Sequence, residues 1–399
     1  MSVNIVMGAQ WGDEGKGKII DYLAEESDIV VRFHGGNNAG HTVVNKYGKF
    51  PMHIIPSGIF NPKAIAIIAN GVVLDLECLV NEINLLKDSG IDINNRLFIS
   101  PRCHLIMPYH KMLDKIYEEA RGSGRIGTTG KGIGPAYADK VSYNGIRLGD
   151  LFNRNLFKYY LKMQLRIKKL SLSEIEIEEN YYSLFDQVKE YVFDSFDLIH
   201  ESLYTKTILA EGAHGMFLDN DWGTYPYVTA SNVVSGAITA GAGIPPTAIS
   251  RIIGVTKAYT TRVGAGPFPT EVIAFTPIDQ ILVQNGTEFG TTTGRRRRTG
   301  WFDAEMVRFA AKLNGFTGLA ITKLDVLDGI QEICLCTHYG GEKPIYKILK
   351  GWDNTKGITD YYKLPVNARN YLKEIEDLVG VKIDLISTGP ERNEICLRP

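Results

Sequence analysis

The N-terminal residues place charged side chains among closely spaced glycines. Residues 8–18 read GAQWGDEGKGK, between a strand-like apolar run and the apolar start of a helix at Ile19. Glycines let backbone N–H groups converge and a helix start favours an anion, so this stretch predicts a phosphate cradle. Gly12 to Lys18 fits G-x-x-x-x-G-K, but Ile19 stands where a P-loop has Ser or Thr for magnesium. Asp13 can replace that hydroxyl or act as a base; the alternative is an ordinary strand–helix turn.

A second group with catalytic potential is His41, which follows a Gly/Asn-rich loop directly after the second predicted strand. Strand ends can bring it opposite Asp13. A carboxylate and an imidazole converging on one substrate supply a base and an acid for opposite ends of a transfer. The alternative is a structural histidine, which the small polar residues around His41 make less favourable.

Four consecutive arginines, residues 295–298, have two interpretations. A solvated basic patch would suggest nucleic acid. Here the run follows Thr-Thr-Thr-Gly and leads into Thr-Gly-Trp-Phe, so hydroxyls and guanidiniums can share one carboxylate or phosphate. Arginine binds such planar anions through two parallel hydrogen bonds, which favours a site for a small anion.

The tetrapeptide Thr322-Lys323-Leu324-Asp325 ends a predicted strand and is similar to the guanine-reading [NT]-K-x-D of GTP-binding proteins. One carboxylate can accept from both N1–H and the 2-amino group of guanine, which adenine cannot satisfy. A switch GTPase would also need D-x-x-G and a Ser or Thr in its P-loop, and neither is convincing here. The residues alone therefore predict an enzyme that uses a guanine nucleotide.

Strand-like and helical runs alternate along most of the chain, which predicts an α/β fold. We expect a large, mainly parallel central sheet with flanking helices, P-loop-like, with appended helical and small subdomains. The predicted strands are Val3–Met7, Ile29–Phe33, Ala64–Ala69, Leu97–Ser100, Thr207–Ala210, Ile249–Val255, Gly318–Thr322, Glu332–Thr337 and Lys382–Ile386. The predicted helices are Leu76–Lys87, His110–Arg121, Asp303–Leu313 and Val366–Leu378. The length of 399 residues allows two lobes or one large sheet, and we expect a single domain over 1–399 with a helical insertion at about 151–205.

The bulk composition is that of a soluble globular protein, with 44% apolar and 22% charged residues. Lys plus Arg (44) nearly balances Asp plus Glu (45), which argues against a general nucleic-acid or membrane role. Five cysteines without a C-x-x-C indicate reduced thiols rather than disulfides or zinc. With no signal-like or membrane-spanning run, the expected location is the cytoplasm.

Ten segments, in order from residue 8 to 390, closely resemble the adenylosuccinate synthetase family, which joins aspartate to IMP at the expense of GTP. They are GAQWGDEGKGKIID, GGNNAGHT, IPSGI, NGVVLD, IGTTGKGIGPAYADK, GTYPYVT, KAYTTRVGAGPFPTE, TTTGRRRRTGWFD, TKLDVLDG and ISTGP. The resemblance implies ligation through 6-phosphoryl-IMP, giving adenylosuccinate, GDP and phosphate, the first committed step of AMP synthesis from IMP. Asp13 would take the N1 proton of IMP while the 6-oxygen attacks the γ-phosphate, and would hold Mg²⁺ with the Gly40 carbonyl. His41 would stabilise the moving phosphoryl group as acid, before the aspartate amine displaces phosphate.

The resemblance also implies three sets of binding residues and a homodimer. The IMP set is Asp13, Glu14, Gly15, Lys16, Asn38, Ala39, Gly40, His41, Thr129, Tyr143, His214, Thr229, Val263 and Arg295. The aspartate set is Thr291, Thr292, Thr293, Gly294, Arg295, Arg296 and Arg297. The GTP set is Gly12, Gly15, Lys16, Gly17, Gly40, His41, Thr42, Arg297, Lys323, Leu324, Asp325, Ser387, Thr388 and Gly389.

Two positions depart from the family pattern. His214 stands where the family has the glutamine of E-G-A-Q-G, and an imidazole cannot present an amide's donor and acceptor together. Tyr143 takes the place of an arginine that the dimer partner brings to the IMP phosphate; Lys140 and Arg147 could compensate. Alternatives are therefore a paralogue that condenses aspartate with another purine nucleotide, or a GTP-binding switch.

Overall fold

The computed structural model describes residues 3–290 and 294–399. Its strands are β1 Val3–Gly8, β2 Ile29–Arg32, β3 His41–Asn45, β4 Gly48–Met52, β5 Ile65–Ile68, β6 Val73–Leu74, β7 Leu97–Ile99, β8 His104–Leu105, β9 Ile208–Gly215, β10 Ile249–Lys257, β11 Thr260–Arg262, β12 Arg298–Gly300, β13 Phe302–Asp303, β14 Gly318–Thr322, β15 Glu332–Gly340, β16 Lys343–Lys350, β17 Ile383–Ser387 and β18 Ile395–Leu397. Its helices are α1 Lys16–Leu23, α2 Leu76–Asp88, α3 Pro108–Ala120, α4 Ile133–Val141, α5 Arg154–Lys168, α6 Glu174–Val188, α7 Phe196–Ser202, α8 Ala237–Ala242, α9 Pro277–Gly286, α10 Ala304–Asn314 and α11 Val366–Val379.

Within the described ranges, nine strands form one sheet in the order β18-β17-β14-β10-β1-β9-β2-β5-β7. Every neighbouring pair is parallel except β17 and β18 at one edge. The N-terminal strand β1 lies in the middle, where Val6 is opposite Ile253 of β10 and Glu211 of β9. Because neighbouring parallel strands end at the same edge, the loops after β1, β9, β10 and β14 lie close together.

The central strand is apolar on both faces because helices cover both sides of the sheet. Ile5 packs on one face with Phe33 and Ile238, while Val6 packs on the other face with Ile19 of α1. These side chains are fully buried. The turn that follows β1 is therefore attached to the most rigid part of the molecule.

The predicted fold class is confirmed, since each of the nine predicted strands coincides with an observed one to within a few residues. The strand predicted at 332–337 differs in its partners: as β15 it pairs with β13 and β16 in a separate three-stranded sheet. The β3–β4 hairpin and α4 were not predicted. Helix α4 directly follows a glycine-rich loop and contains Gly134 and Pro135, a local pattern that is typical of a loop.

Helix boundaries follow the expected capping chemistry. Asp75, Asn153, Ser173 and Asp303 each accept a backbone N–H at the start of a helix. Helices α5 to α7 occupy the segment predicted to be a helical insertion; α5 and α6 share a hydrophobic core with α2, whereas Ile199 of α7 packs with strands of the central sheet. The assignment of the whole chain to one domain stays a prediction.

Two other expectations concern the whole chain. The five cysteines are all free thiols. In the part of the chain that the structure describes, no helix combines the length and apolar character needed to cross a membrane.

Candidate functional site

The turn after β1 is held in shape by the buried carboxylate of Glu14. Its Oε1 accepts the N–H groups of Gln10 (3.1 Å) and Gly12 (2.9 Å), and its Oε2 accepts from Lys16 Nζ at 2.8 Å. Gly12 and Gly15 take φ angles of 89° and 81°, the left-handed region that glycine adopts without steric cost. The Glu14 side chain is thus committed to the turn, and any contact with IMP would come from its backbone.

A cleft of about 590 Å³ opens beside this turn, a volume that suits a small-molecule ligand. Ten residues predicted for catalysis or for IMP line it, from six separate segments of the chain. They are Asp13, Lys16, Asn38, Ala39, Gly40, His41, Thr129, His214, Thr229 and Val263. Asp13 and His41, predicted to act as a pair, thus lie on the same cleft.

His41 is oriented by a carboxylate that the sequence analysis did not assign. His41 Nδ1 lies 2.5 Å from Glu211 Oε1, and the carboxylate also accepts the N–H (2.7 Å) and hydroxyl (3.1 Å) of Ser57. With Nδ1 engaged, Nε2 is the nitrogen left for a ligand, and it is buried without a hydrogen-bond partner in the described chain. Burial lowers the pKa of His41, while the Glu211 carboxylate acts in the opposite direction.

His214 presents both ring nitrogens without a hydrogen-bond partner among the described residues, although its side chain is almost fully buried. Its ring lies 6.5 Å from that of His34, whose Nε2 accepts the Ala213 N–H at 3.1 Å. Burial lowers the pKa of both histidines well below the usual value, so both are neutral at neutral pH. A neutral imidazole offers a ligand in the cleft one donor and one acceptor.

Asn38 and Thr229 belong to the same wall of the cleft. Asn38 Nδ2 donates to Thr229 Oγ1 at 3.2 Å, while Asn38 Oδ1 is buried with no protein donor in the described ranges. Both residues belong to the predicted IMP set. A buried amide oxygen without a protein donor is costly, so Asn38 Oδ1 marks a position where a ligand donor is expected.

Three of the four arginines in the run, residues 296–298, pair with protein carboxylates, whereas Arg295 is exposed. Arg296 binds Asp279. Arg298 forms a two-armed pair with Glu271, at 2.7 and 2.5 Å. These carboxylates neutralise the charges of Arg296 and Arg298, which disfavours a general nucleic-acid surface at these two side chains.

Arg297 has different partners, and one of them lies in the turn after β1. Its Nε donates to Asp13 Oδ2 at 2.6 Å and its Nη1 donates to Glu288 Oε2 at 2.7 Å. Arg295 Nη1 donates to the Gly127 carbonyl, which borders the cleft, at 3.3 Å. Thr291, Thr292 and Thr293 of the predicted aspartate loop lie outside the described residues, and Gly294 follows them with φ of 64°.

The predicted guanine segment is connected directly to the phosphate turn. Thr322 Oγ1 donates to the Glu14 carbonyl at 2.5 Å, so the end of β14 is hydrogen-bonded to the turn after β1. Lys323 adopts φ of 58° and donates to the Gly286 carbonyl at 2.7 Å. Burial raises the pKa of Asp325. The desolvated carboxylate gains most from a ligand that supplies hydrogen-bond donors.

Lys18, another residue without an assigned role, binds the predicted loop 387–389 and lies close enough to Asp325 to be attracted by its charge. Its Nζ donates to Ser387 Oγ (2.8 Å), to the Gly389 carbonyl (2.7 Å) and to the Glu394 carbonyl (2.9 Å). Burial lowers its pKa to about 8, against the attraction of Glu394 and Asp325. The structure thus brings the two parts of the predicted guanine site to one place.

The remaining predicted residues lie around the cleft or away from it. Gly17 packs closely on β3, since a Cβ there would lie 3.0 Å from His41 Cβ. Leu324 and Thr388 are buried, and Thr42 is half-buried in β3. Tyr143 is 96% exposed, has φ of 66° and does not line the cleft of its own chain.

One group of potential metal ligands lies outside the cleft. His53, Cys78 and Glu82 place ligand atoms within 4.8 Å of one another. The Glu82 carboxylate, however, already accepts the backbone N–H groups of residues 53, 54 and 55. This bonding assigns Glu82 to holding the chain after β4 against α2.

Three of the residues that organise the site were missed by the sequence analysis: Glu211, Glu288 and Lys257. Glu211 lies three residues before His214, but its role depends on His41, a partner 170 positions away. Glu288 and Lys257 are 0% exposed and bonded to each other at 2.8 Å. Single charged residues carry no local signal of such a distant pairing.

The sheet is parallel, and its central strand is followed by a glycine-rich phosphate turn. A carboxylate and an imidazole lie on the cleft beside that turn. This combination defines a nucleotide-dependent phosphoryl-transfer enzyme. The family profile described as adenylosuccinate synthetase matches residues 5–396. The chain belongs to the adenylosuccinate synthetase family.

The chain is similar to relatives over its full length. It is 46% identical to the adenylosuccinate synthetase of Halothermothrix orenii and 47% identical to that of Thermodesulfovibrio yellowstonii, covering 100% of this chain and 99% of each relative. Among solved structures, it is similar to a fully ligated adenylosuccinate synthetase from Plasmodium falciparum, with a TM-score of 0.94, 34% identity and full coverage of both chains. A cyanophage S-2L succinoaminodeoxyadenylate synthetase shares the fold, with a TM-score of 0.67 at 20% identity, covering 100% of this chain and 95% of that one.

Family membership confirms the main functional prediction. The protein is a ligase of purine biosynthesis that uses GTP to join L-aspartate to IMP. A paralogue with a different purine substrate and a GTP-binding switch are both disfavoured.

Proposed function

We propose that Asp13 and His41 are the catalytic pair of this ligation. The observation that carries the proposal is their position: both line one cleft, together with Lys16 at the start of α1. Asp13 would accept the N1 proton of IMP while the 6-oxygen attacks the γ-phosphate of GTP. The aspartate amine then displaces phosphate from 6-phosphoryl-IMP.

His41 is proposed to act through Nε2. Burial keeps its pKa low, which favours the neutral ring with Nδ1–H donated to Glu211. A bound γ-phosphate brings negative charge close to Nε2 and favours the protonated ring, which then donates to the phosphoryl oxygens. Glu211 stabilises the resulting imidazolium.

Magnesium is proposed to be held by the Asp13 carboxylate and the Gly40 carbonyl. Both residues line the same cleft, and oxygen donors are those that Mg²⁺ prefers, so the residues present fit the ion. When bound, it would neutralise charge on the transferred phosphoryl group. Lys16 would contact the phosphates beside it.

The substrates are proposed to occupy three neighbouring regions. IMP takes the cleft, against Thr229, Asn38 and His214; Asn38 Oδ1 and both ring nitrogens of His214 lack protein partners among the described residues. Guanine takes the region between Asp325 and the loop 387–389. Lys18 donates hydrogen bonds to that loop. Aspartate takes the arginine segment 294–297 together with residues 291–293. The tests of these assignments are single substitutions with separate KM values for the three substrates.

The test of the catalytic pair uses GTP labelled with ¹⁸O in the β–γ bridge. With IMP and Mg²⁺ but no aspartate, reversible formation of 6-phosphoryl-IMP scrambles the label between bridging and non-bridging positions. We expect scrambling in the wild type and none in Asp13→Asn or His41→Asn. Scrambling at the wild-type rate in either variant would overturn the assignment of that residue.

A control identifies the overall reaction. Phosphate release should require GTP, IMP and aspartate together and should be lost when ATP replaces GTP. Release with GTP alone would point to a GTPase, and rescue by another purine monophosphate would point to a changed acceptor.

We also propose a homodimer in which Tyr143 reaches the IMP phosphate of the partner's cleft. What supports this is the nearly complete exposure of Tyr143 and the exposure of Val141 beside it, at 71%. Sedimentation of the wild type should give a dimer. Tyr143→Ala should raise the KM for IMP, and Arg147→Leu should raise it further if Arg147 supplies the missing charge; a monomeric, fully active enzyme would exclude the proposal.

A cytoplasmic location is proposed from the five free thiols, which are typical of a reducing compartment. Cell fractionation tests it: recovery of the enzyme with the soluble cytoplasmic fraction is expected, and recovery from an exported or membrane fraction would exclude it.

A further inference from the structure

Glu288, which has no part in the chemistry described above, is a fully buried carboxylate just after α9. Its Oε1 accepts from Lys257 Nζ (2.8 Å), from Lys323 Nζ (2.6 Å) and from the Tyr259 hydroxyl. Its Oε2 accepts from Arg297 Nη1 at 2.7 Å, and its carbonyl accepts the Arg297 N–H at 2.9 Å. One carboxylate therefore binds four side chains.

The three cations come from different segments of the chain. Lys257 ends β10, Lys323 follows β14, and Arg297 precedes β12. Lys323 belongs to the guanine segment and Arg297 to the arginine segment. Through its second arm Arg297 continues to Asp13, so a chain of charge-assisted hydrogen bonds runs from the guanine segment to the catalytic carboxylate.

Loss of Glu288 would increase an excess of positive charge that this cluster already carries. Three cations face two carboxylates, Glu288 and Asp13; the Glu288, Lys257 and Arg297 side chains are at most 7% exposed, while those of Asp13 and Lys323 are each 27% exposed. Burial, with the neighbouring Lys323 and Arg297, lowers the pKa of Lys257 to about 7, although Glu288 opposes the shift. Removing one partner of a buried ion pair leaves an uncompensated charge, so loss of Glu288 drives the cations apart.

We propose that Glu288 is a positioning residue that fixes Lys323 and Arg297 relative to each other, so that the guanine segment and the arginine segment bind their ligands as one unit. The inference rests on the proposed assignment of those two segments. A purely structural role, in which Glu288 only neutralises buried Lys257, would affect stability but not the two ligand sites.

The test is Glu288→Gln, which keeps the shape of the side chain and removes its charge. We expect the KM for GTP and the KM for aspartate each to rise about tenfold, with the KM for IMP unchanged within about twofold. The matched control is Glu271→Gln, which removes the carboxylate of Arg298; that arginine keeps two carbonyl acceptors, and all three KM values should stay within about twofold.

A second variant guards against a folding defect. Glu288→Gln combined with Lys257→Met removes one anion and one cation together, so the net buried charge changes less than in Glu288→Gln alone. The link between Lys323 and Arg297 is still lost. The same pair of tenfold increases is expected. Unchanged KM values for GTP and aspartate in the folded double variant, with only a lower Tm, would overturn the proposal.

Two single variants separate this inference from the site assignment on which it rests. Lys323→Met and Arg297→Met report on the segments directly. If either raises the KM for GTP or aspartate while both Glu288 variants do not, the Glu288 inference fails and the assignment stands. If none of the four variants changes these constants, the assignment itself fails.

Discussion

Arg297 reaches back to Asp13 across 284 positions of sequence, and its Nε lies 2.6 Å from the Asp13 Oδ2. Its other arm holds Glu288. The guanidinium is suited to this place because its planar fork donates in two directions at fixed geometry, which a lysine ammonium on a flexible stem does not reproduce. The ion pair connects the arginine segment to the proposed base.

Replacing this arginine by lysine should therefore not preserve activity. We expect both Arg297→Lys and Arg297→Met to lower kcat/KM for aspartate by about 10- to 100-fold, which corresponds to about 1.4–2.7 kcal/mol of transition-state stabilisation. Steady-state kinetics with GTP and IMP saturating measure this directly. A lysine variant with wild-type kcat/KM would show that charge alone suffices.

The Glu211–His41 pair predicts a specific loss in Glu211→Gln. The amide carbonyl can still accept from His41 Nδ1, but it cannot stabilise an imidazolium, so kcat should fall about 10- to 100-fold with the KM values for IMP and GTP nearly unchanged. The double variant with His41→Asn should lose little beyond His41→Asn alone, because the two residues act as a unit. Additive losses would mean that Glu211 acts independently of His41.

His214 is expected to perform the task of the family's glutamine with a different set of hydrogen bonds. His214→Gln should retain kcat within about threefold, whereas His214→Ala should raise the KM for IMP about tenfold because the ligand loses a partner. The backbone there has φ of 62°, so the alanine variant also needs a thermal-unfolding control. Equal KM values in all three forms would place His214 outside the IMP contact set.

Asp21 of α1 predicts a pH-dependent stability. Burial raises its pKa from 3.8 to about 6, against the attraction of Arg392 3.4 Å away, and neither carboxylate oxygen has a hydrogen-bond partner in the described structure. The folded state binds the proton more tightly, so this carboxyl costs no stability below about pH 4 and its full cost appears above about pH 6. Asp21→Asn should therefore raise the free energy of unfolding by about 1–3 kcal/mol at pH 8.

The measurement is urea unfolding of the wild type and Asp21→Asn at pH 4 and pH 8. The difference should nearly vanish at pH 4, where Asp21 is protonated in the folded enzyme. A constant difference at both pH values would mean that the substitution acts through packing or Arg392 and not through ionisation.

Much of this architecture could be predicted because its signals are local. Apolar β-branched runs predict the strands, and closely spaced glycines predict the turn at 8–18 and the loop before His41. The helix at 133–141 and the β3–β4 hairpin were missed because their stability comes from tertiary packing, not from a periodic pattern. Local composition does not show how much stability an element gains from tertiary packing.

The candidate site shows the same division. Asp13, His41 and Lys323 stand in recognisable motifs, whereas Glu211, Glu288 and Lys18 act through partners that only the fold brings near. Glu14 illustrates a third case, since it lies inside a motif but its side chain serves the turn. A motif specifies the segment that carries the chemistry and not which of its side chains faces the ligand.

The central position of β1 has a consequence during protein synthesis. Val3 pairs with Ile208 on one side and with Ile249 on the other, so β1 is made before both of its neighbours and waits for them longer than any other strand of the sheet. At about 5–20 residues per second the ribosome needs roughly 12–50 s to deliver those neighbours. During that interval the apolar strand lacks one or both of its partner strands. The nascent chain is therefore expected to bind a chaperone that acts near the exit tunnel.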